Sequence, residues 1–188
     1  GIKTINSFFT YKNANKLKKF KKNTDVISAA NVICHVPDLS NLIKGVDCLL
    51  NRNGLFIFEE PYLGSMYDKT SYDQIYDEHI FMFSATSVKK IFNIYDLELI
   101  DAIKQETHGG SMRYIISRKN SRDINKNVQI VLDNEKSNNL DNIESCNIFK
   151  KNCEASKFKL NNSLKNFISK GKKIVGYAAT SKSTTILN

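Results

Sequence analysis

The chain has 188 residues, of which 41% are hydrophobic, so it can bury a sizeable core and is not a disordered or low-complexity protein. Its net charge of +9 at pH 7 suggests nucleic acid as a partner, but the lysines are scattered and no RNA-binding signature is present. No apolar run approaches the roughly 18–20 residues of a membrane-spanning helix, and residues 1–10 do not form a secretory signal. We therefore expect a cytoplasmic protein with neither a membrane nor a nucleic-acid partner.

Two apolar strand segments flank a helix in the first part of the chain. The β-branched run 25–33 predicts a buried strand. Asp38 or Ser40 is expected to cap a helix with apolar residues at helical spacing, and the Asn-Gly pair 53–54 is expected to end it. The continuous apolar run 55–58 predicts the next strand. This strand–helix–strand pattern indicates a parallel βαβ unit in an α/β fold.

The middle of the chain combines a long polar segment with a predicted hairpin. Residues 62–80 are polar and aromatic with little periodicity, and a loop of that length in a compact domain is usually functional. Ser84 is expected to cap the helix that follows. Segments 97–103 and 112–117 are predicted strands, and the short turn between them indicates an antiparallel edge on a mostly parallel sheet.

The last third of the chain differs in composition from the first two. Residues 119–144 are polar and rich in Asn, so we expect a linker there between a first domain, 1–118, and a second that begins with 145–188. The second part is predicted to contain a long amphipathic helix, a strand over 172–177, and a small-residue loop before a helix at Thr184. A strand, a small-residue loop and a helix N-terminus are typical of a phosphate-binding cradle.

The cysteines do not follow metal-binding spacing. None of Cys34, Cys48, Cys146 and Cys153 forms a C-x-x-C pair. We expect buried or half-buried free thiols in a reducing compartment, with a disulfide or zinc as the alternative. No metal-ligand set is predicted in this chain.

Several polar residues follow the strand ends, where open parallel sheets bind their ligands. Each of them could instead serve only packing, capping or turn formation. These candidates are Asn31, His35, Glu59, Glu60, Pro61, Tyr76, Glu78, His79, His108 and Lys182.

Five segments together resemble the sugar C-methyltransferases, enzymes that use S-adenosylmethionine to methylate a ring carbon of a nucleotide-linked keto sugar. Residues 72–79 are similar to their Y-x-x-I-Y-x-E-H pattern, and 107–113 to their H-G-G-S-x-R segment. Residues 176–188 resemble their C-terminal G-Y-G-A-x-A-K-G-N-T-L-L-N pattern, although the residues on either side of the lysine differ. Residues 25–38 and 54–62 resemble two strand segments of the same family.

The resemblance implies a Rossmann-like class I methyltransferase half-domain followed by the start of a second α/β substrate domain. It implies S-adenosylmethionine as the cofactor and a small nucleotide-sugar as the substrate. The zinc-binding domain and the Gly-rich cofactor loop of such enzymes have no counterpart in this chain, so zinc is expected only in a preceding part. We therefore expect the chain to be a fragment.

The resemblance also assigns roles to residues. His79 is expected to be the base that removes a proton next to the ketone, and Tyr76 to donate a hydrogen bond to the ketone oxygen. Glu78 and His108 are expected to orient or polarise the reacting groups. Residues expected on the cofactor side are Asn31, His35, Glu59 and Pro61, and those expected at the nucleotide phosphates are Ser181, Lys182 and Ser183.

Three alternatives stay open. The first is an O- or N-methyltransferase of the same fold, which would not need an enolate. The second is a binding module for nucleic acid, based on the net charge. The third is a fragment without activity of its own, because a half-domain without its cofactor loop cannot hold the methyl donor properly.

Overall fold

A computed structural model describes residues 1–20, 23–177 and 179–188. Its helices are α1 Tyr11–Phe20, α2 Leu39–Leu49, α3 Leu63–Lys69, α4 Ala85–Asn93, α5 Lys126–Ser137, α6 Ile143–Ser169 and α7 Ser181–Leu187. Its strands are β1 Thr24–Ala30, β2 Leu50–Pro61, β3 Leu97–Gln105 and β4 Ser111–Arg118. Short 3₁₀ turns cover Ile33–His35, Tyr72–Gln74 and Thr107–Gly109.

The βαβ unit is confirmed. Strands β1 and β2 pair in parallel and are connected through α2. Asp38 caps α2, because its side chain accepts a hydrogen bond from the N–H of Asn41 at 3.0 Å. The predicted end of this helix at 53–54 is wrong, since Leu50 is already extended and pairs with Thr24 of β1. Gly54 therefore lies inside β2, where a side chain would press on Leu50.

The sheet has the strand order β1-β2-β4-β3. Strand β4 is antiparallel to both of its neighbours, so β1, β2 and β3 run in one direction and only β4 is reversed. The predicted mostly parallel sheet with an antiparallel hairpin at one edge is confirmed. The hairpin forms because the turn between β3 and β4 is too short for a parallel crossover.

Aromatic side chains fill the core between this sheet and α4. Phe56, Phe58 and Tyr114 are almost completely buried, and Phe92 of α4 packs against them. The ring centroids of Phe58 and Tyr114 lie 4.9 Å apart in a stacked arrangement. Offset stacking of this kind adds to the stabilisation that burial alone provides.

The predicted linker 119–144 contains α5, which packs on the sheet unit. Val128 and Val131 lie on one face of α5 and are buried. This segment has few apolar residues, so its sequence did not predict a buried face. Glu135 is also buried and accepts hydrogen bonds from the Tyr62 hydroxyl and from the backbone N–H groups of residues 85 and 86. The segment 119–144 thus contains a packed helix, while the linker and the division into two domains stay predictions.

Three further expectations differ from the structure. The predicted loop 62–80 contains α3 and a 3₁₀ turn. The predicted strand 172–177 has no regular secondary structure, and no strand of the described sheet pairs with it. The helix predicted at Thr184 begins slightly earlier, at Ser181, where Thr180 caps it.

All four cysteines are free thiols. Cys34 is buried, Cys48 and Cys153 are half-buried, and Cys146 is exposed, which differs from the expected burial. Within residues 1–20, 23–177 and 179–188, no helix has both the length and the apolar character needed to cross a membrane.

Candidate active site

The candidate residues gather at the carboxyl ends of β1 and β2. Asn31 follows β1 in a left-handed conformation, with φ 52°, and its N–H donates to the carbonyl of Glu59 at 2.9 Å. This turn directs the chain away from the sheet and into the 3₁₀ turn 33–35. The turn thereby presents Cys34 and His35 at the edge where ligands bind in such sheets.

Glu60 holds that turn in place, a role that neither the sequence pattern nor the resemblance assigned to it. Its side chain is completely buried, and its Oε1 accepts hydrogen bonds from the N–H groups of Val32 at 2.9 Å and Ile33 at 2.6 Å. Its Oε2 has no hydrogen-bond partner among the described residues. Carboxylates are rarely buried without partners, so the burial of Glu60 marks it as part of the framework of the site.

His79 is fixed by contacts on both ring nitrogens. Its Nδ1 lies 2.8 Å from the carbonyl oxygen of Gln74, and its Nε2 lies 2.7 Å from the hydroxyl of Tyr76. A carbonyl can only accept, so Nδ1 carries the proton and Nε2 holds the lone pair. The hydroxyl of Tyr76 therefore donates to Nε2.

The surroundings keep both partners of this pair neutral. Burial lowers the pKa of His79, and the neighbouring His35 and Lys182 lower it further, while the Gln74 carbonyl and Glu60 act in the opposite direction. Burial also raises the pKa of the Tyr76 hydroxyl, and nearby negative groups add to this effect. His79 is thus a free base near pH 7, and Tyr76 keeps its proton for donation.

His35 lies beside this pair. Its Nδ1 donates to the carbonyl oxygen of Glu78 at 2.6 Å, and its ring centroid is 5.1 Å from that of His79. Glu78 contributes through its backbone, since its side chain is exposed. The carbonyl of Cys34 accepts from the N–H groups of Ile80 and Phe81, which ties the two loops together.

A second wall of the site comes from the turn between β3 and β4. His108 has a φ of 53°, and its Nε2 lies 3.4 Å from Nδ2 of Asn31. Its carbonyl accepts a hydrogen bond from Nε2 of Gln74 at 2.6 Å. His108 is therefore on the Asn31 side of the site, and Gln74 connects it to the loop that carries His79.

Glu59 and Pro61 shape this wall in different ways. The Glu59 carboxylate accepts hydrogen bonds from the Thr107 hydroxyl at 2.9 Å and from the Arg113 guanidinium at 2.9 Å. Pro61 is buried in β2 and lies opposite Ser111 of β4. Both residues fix the position of the 107–110 turn.

The C-terminal helix α7 lies against the same loop. The Thr185 hydroxyl donates to the carbonyl of Ile75 at 3.1 Å, next to Tyr76. Lys182 is half-buried and close enough for its charge to act on His79. Ser181 is exposed, and the Ser183 hydroxyl is engaged in the capping box with Thr180. The structure therefore brings Lys182 to the predicted base.

Two protein families match consecutive parts of the chain. The family described as "Methyltransferase domain" matches residues 3–102, and that described as "C-methyltransferase C-terminal domain" matches residues 106–188. The chain is 24% identical over 188 residues to the C-methyltransferase NovU of Streptomyces niveus; the match covers 100% of this chain and 45% of NovU. The chain therefore spans less than half the length of that relative. These findings confirm the predicted resemblance to C-methyltransferases.

A solved structure was also found to be similar. It is a SAM-dependent methyltransferase from Anabaena variabilis ATCC 29413, with a TM-score of 0.44 and 13% sequence identity. The alignment covers 59% of this chain and 56% of that one.

Proposed function

Because the chain belongs to the methyltransferase-domain family, we propose that it carries the base and the substrate side of an S-adenosylmethionine-dependent C-methyltransferase. The proposed substrate is a nucleotide-linked keto sugar, methylated on the carbon next to its ketone. The observation that carries the proposal is the Tyr76–His79 pair, in which a neutral imidazole faces a protonated phenol. Attack by a hydroxyl or amine would not require that combination.

His79 is the proposed base. Its unprotonated Nε2 removes the proton from the carbon next to the ketone, and the resulting imidazolium keeps its Nδ1–H bond to the Gln74 carbonyl. Tyr76 turns its O–H from Nε2 to the ketone oxygen, where negative charge develops in the enolate. The same rotation frees the lone pair of His79, so the two residues change roles together when the substrate binds.

The residues at the ends of β1 and β2 fit the cofactor side. S-adenosylmethionine, when bound, supplies an electrophilic methyl group to the enolate carbon. The exposed amide of Asn31 and the half-buried ring of His35 are proposed to contact its polar groups. Glu59 fits as a fixed wall and not as a ligand, because Thr107 and Arg113 already engage its carboxylate.

The nucleotide phosphates are proposed to lie near α7. Lys182 is the cation at this end of the site, and its charge reaches His79. Ser181 adds an exposed hydroxyl, and Ser183 adds its backbone at the first turn of α7. A phosphate bound there would offset the positive charge that opposes protonation of His79, which raises its basicity once the substrate is in place.

The test follows hydrogen–deuterium exchange at the carbon next to the ketone, measured by NMR in D₂O with a panel of nucleotide-linked 4-keto-6-deoxy sugars. We expect exchange by the wild type and a reduction of about 10²–10⁴-fold in His79→Gln, because that variant lacks the base. Tyr76→Phe is expected to be slowed as well. Tyr95→Phe is the matched control, since the Tyr95 hydroxyl bonds to Ser40 away from the site.

A second measurement follows the methyl group. With the chain extended to include the Gly-rich cofactor loop that the resemblance implies, incubation with S-adenosylmethionine and the same sugars should add one methyl at carbon, identified by mass and by the NMR coupling pattern. Methyl transfer to oxygen or nitrogen, without solvent exchange at carbon, would contradict the proposal and support an O- or N-methyltransferase.

A further inference from the structure

Cys34, His35 and His79 form a cluster of soft and borderline ligands. One ligand atom from each of the three lies within 4.8 Å of the other two. We propose that this cluster is a binding site for one divalent metal ion of the zinc class. Sulfur and imidazole nitrogen together are a donor set that zinc and cobalt accept readily, and magnesium and calcium do not.

Both histidine rings are fixed by hydrogen bonds to backbone carbonyls. Each donates its Nδ1–H to a backbone carbonyl, His35 to Glu78 and His79 to Gln74. This leaves Nε2 of each ring as the atom with the available lone pair. Histidine ligands of protein metal sites usually have such an acceptor on the other ring nitrogen, which fixes the tautomer and the ring direction.

Only a small movement is needed to close the cluster around an ion. Ligands of a tetrahedral zinc ion are about 3.5 Å apart, so a separation of up to 4.8 Å requires shifts of roughly 1 Å. His35 and His79 are half-buried and can make these shifts, whereas the buried Cys34 forms the floor of the site. The open side leaves room for water as the fourth ligand.

An independent feature points to a cation at this place. Glu60 is completely buried, and its Oε2 has no hydrogen-bond partner among the residues that the structure describes. Its other oxygen, Oε1, accepts hydrogen bonds from the N–H groups of Val32 and Ile33, directly before Cys34 in the chain. A divalent ion, the Cys34 thiolate and the Glu60 carboxylate together carry no net charge, which lowers the cost of placing the ion in a half-buried site.

Binding of the ion exchanges one proton. The ion forms a bond to Sγ of Cys34 as the S–H bond breaks, and the proton leaves to solvent. At His79 the ion takes the lone pair that otherwise accepts from Tyr76. If His79 is the base, as proposed above, an occupied site excludes catalysis, so the ion acts as an inhibitor; this last step rests on the proposed function.

The test is a titration of the protein with Co²⁺ under reducing conditions, followed by the thiolate-to-cobalt absorption band in the near ultraviolet. We expect one equivalent to bind, with full displacement by Zn²⁺. Cys34→Ser should abolish the band, and His35→Gln should weaken Co²⁺ binding by about 10–100-fold. Cys146→Ser is the matched control, because this thiol is exposed and lies outside the cluster.

Several outcomes would overturn the site. These are the absence of a thiolate band in the wild type, a band that persists in Cys34→Ser, and a band that disappears in Cys146→Ser. His35→Gln also covers the case in which Cys34→Ser fails to fold, because His35 is half-buried, and unchanged Co²⁺ affinity in that variant would overturn the site. Co²⁺ binding with these variant effects supports the site whether or not Zn²⁺ inhibits deuterium exchange. Binding without inhibition would count against His79 as the base and not against the site.

Discussion

Two regions of the molecule use the same kinds of side chain in opposite ways. In the sheet unit, residues 24–137, aromatic rings such as Phe58 are buried between the strands and α4. In the C-terminal segment, residues 143–188, Phe158 is 67% exposed and Tyr177 is 100% exposed. Residue type therefore does not decide burial; the presence of a second layer to pack against does.

The contrast also separates what each region contributes to the site. The sheet unit positions Tyr76 and His79 through contacts made entirely within itself. The C-terminal segment contacts this loop through Thr185 and brings Lys182 to it. We expect the base to be preorganised by the first region and its electrostatics to be adjusted by the second.

The largest expected effect compares two phenylalanines. Phe58→Ala should lower the free energy of unfolding by about 3–5 kcal/mol, because it leaves a cavity in the aromatic core. Phe158→Ala on α6 should change it by no more than about 0.5 kcal/mol. Urea denaturation followed by circular dichroism measures both. Equal losses in the two variants would show that α6 is buried against another surface.

The next effect concerns the buried Glu135. Glu135→Ala should destabilise the sheet unit by about 3 kcal/mol, since the Tyr62 hydroxyl and two backbone N–H groups lose their acceptor. Glu144→Ala is the matched control, because Glu144 lies exposed at the start of α6. The midpoint of thermal unfolding checks both variants. A neutral Glu135→Ala would mean that α5 does not hold the sheet unit together.

Two glycines with positive φ provide a third comparison. Gly110 has a φ of 128°, and a Cβ there would overlap the side chain of Ser65. Gly110→Ala should therefore lower the free energy of unfolding by about 2–3 kcal/mol. Gly171 ends α6 with a φ of 68° in open space, and Gly171→Ala should cost about 1 kcal/mol from backbone strain alone. Chemical denaturation gives both values. A larger loss at Gly171 would contradict the open environment of that turn.

The pH dependence of stability tests the environment of His79. Its pKa in the folded protein lies below its usual 6.5, so the unfolded chain takes up this proton first as the pH falls. The stabilisation that His79 gives the folded protein is therefore fully present above pH 6.5. It is lost as the pH falls below that value. His79→Gln should flatten the stability profile between pH 5 and 7 relative to the wild type. A steeper dependence of stability on pH in the variant would show that the pKa of His79 is raised in the folded protein and not lowered.

The smallest expected effect connects the two regions. Lys182→Met should raise the pKa of His79, because it removes a positive charge that opposes protonation. Lys165→Met on the exposed side of α6 is the control and should leave this pKa unchanged. An NMR titration of the His79 ring protons measures the shift. No shift in Lys182→Met would mean that α7 does not rest on the loop 72–79 in solution.

The sequence predicted the parts of the fold that local patterns determine. The apolar runs of β1 and β2, the cap at Asp38 and the cap at Ser84 were all recognisable from residues close in the chain. The end of α2 was not, because an Asn-Gly pair fits a helix stop as well as a strand that needs a small residue. The buried face of α5 was not predicted either, because it consists of only two valines and a glutamate in an Asn-rich segment.

The site shows the same limit. The motif predicted that Tyr76 and His79 lie in the same site, since they are only three residues apart. The structural role of Glu60 was not predictable, because its partners, Val32 and Ile33, precede it by almost a full βαβ unit. Long-range partners of a buried charge become visible only when the fold is known.

The insertion of β4 between β2 and β3 has a consequence for biosynthesis. When the ribosome has produced β3, that strand has no neighbour to pair with. The reason is that β4 lies between β2 and β3 and pairs with both of them. The hydrogen bonds of Glu135 to residues 62, 85 and 86 can form only after α5 has also emerged. The nascent chain therefore holds an unpaired β2 edge for about sixty residues of translation, and chaperone binding during that interval should depend on how quickly β4 follows.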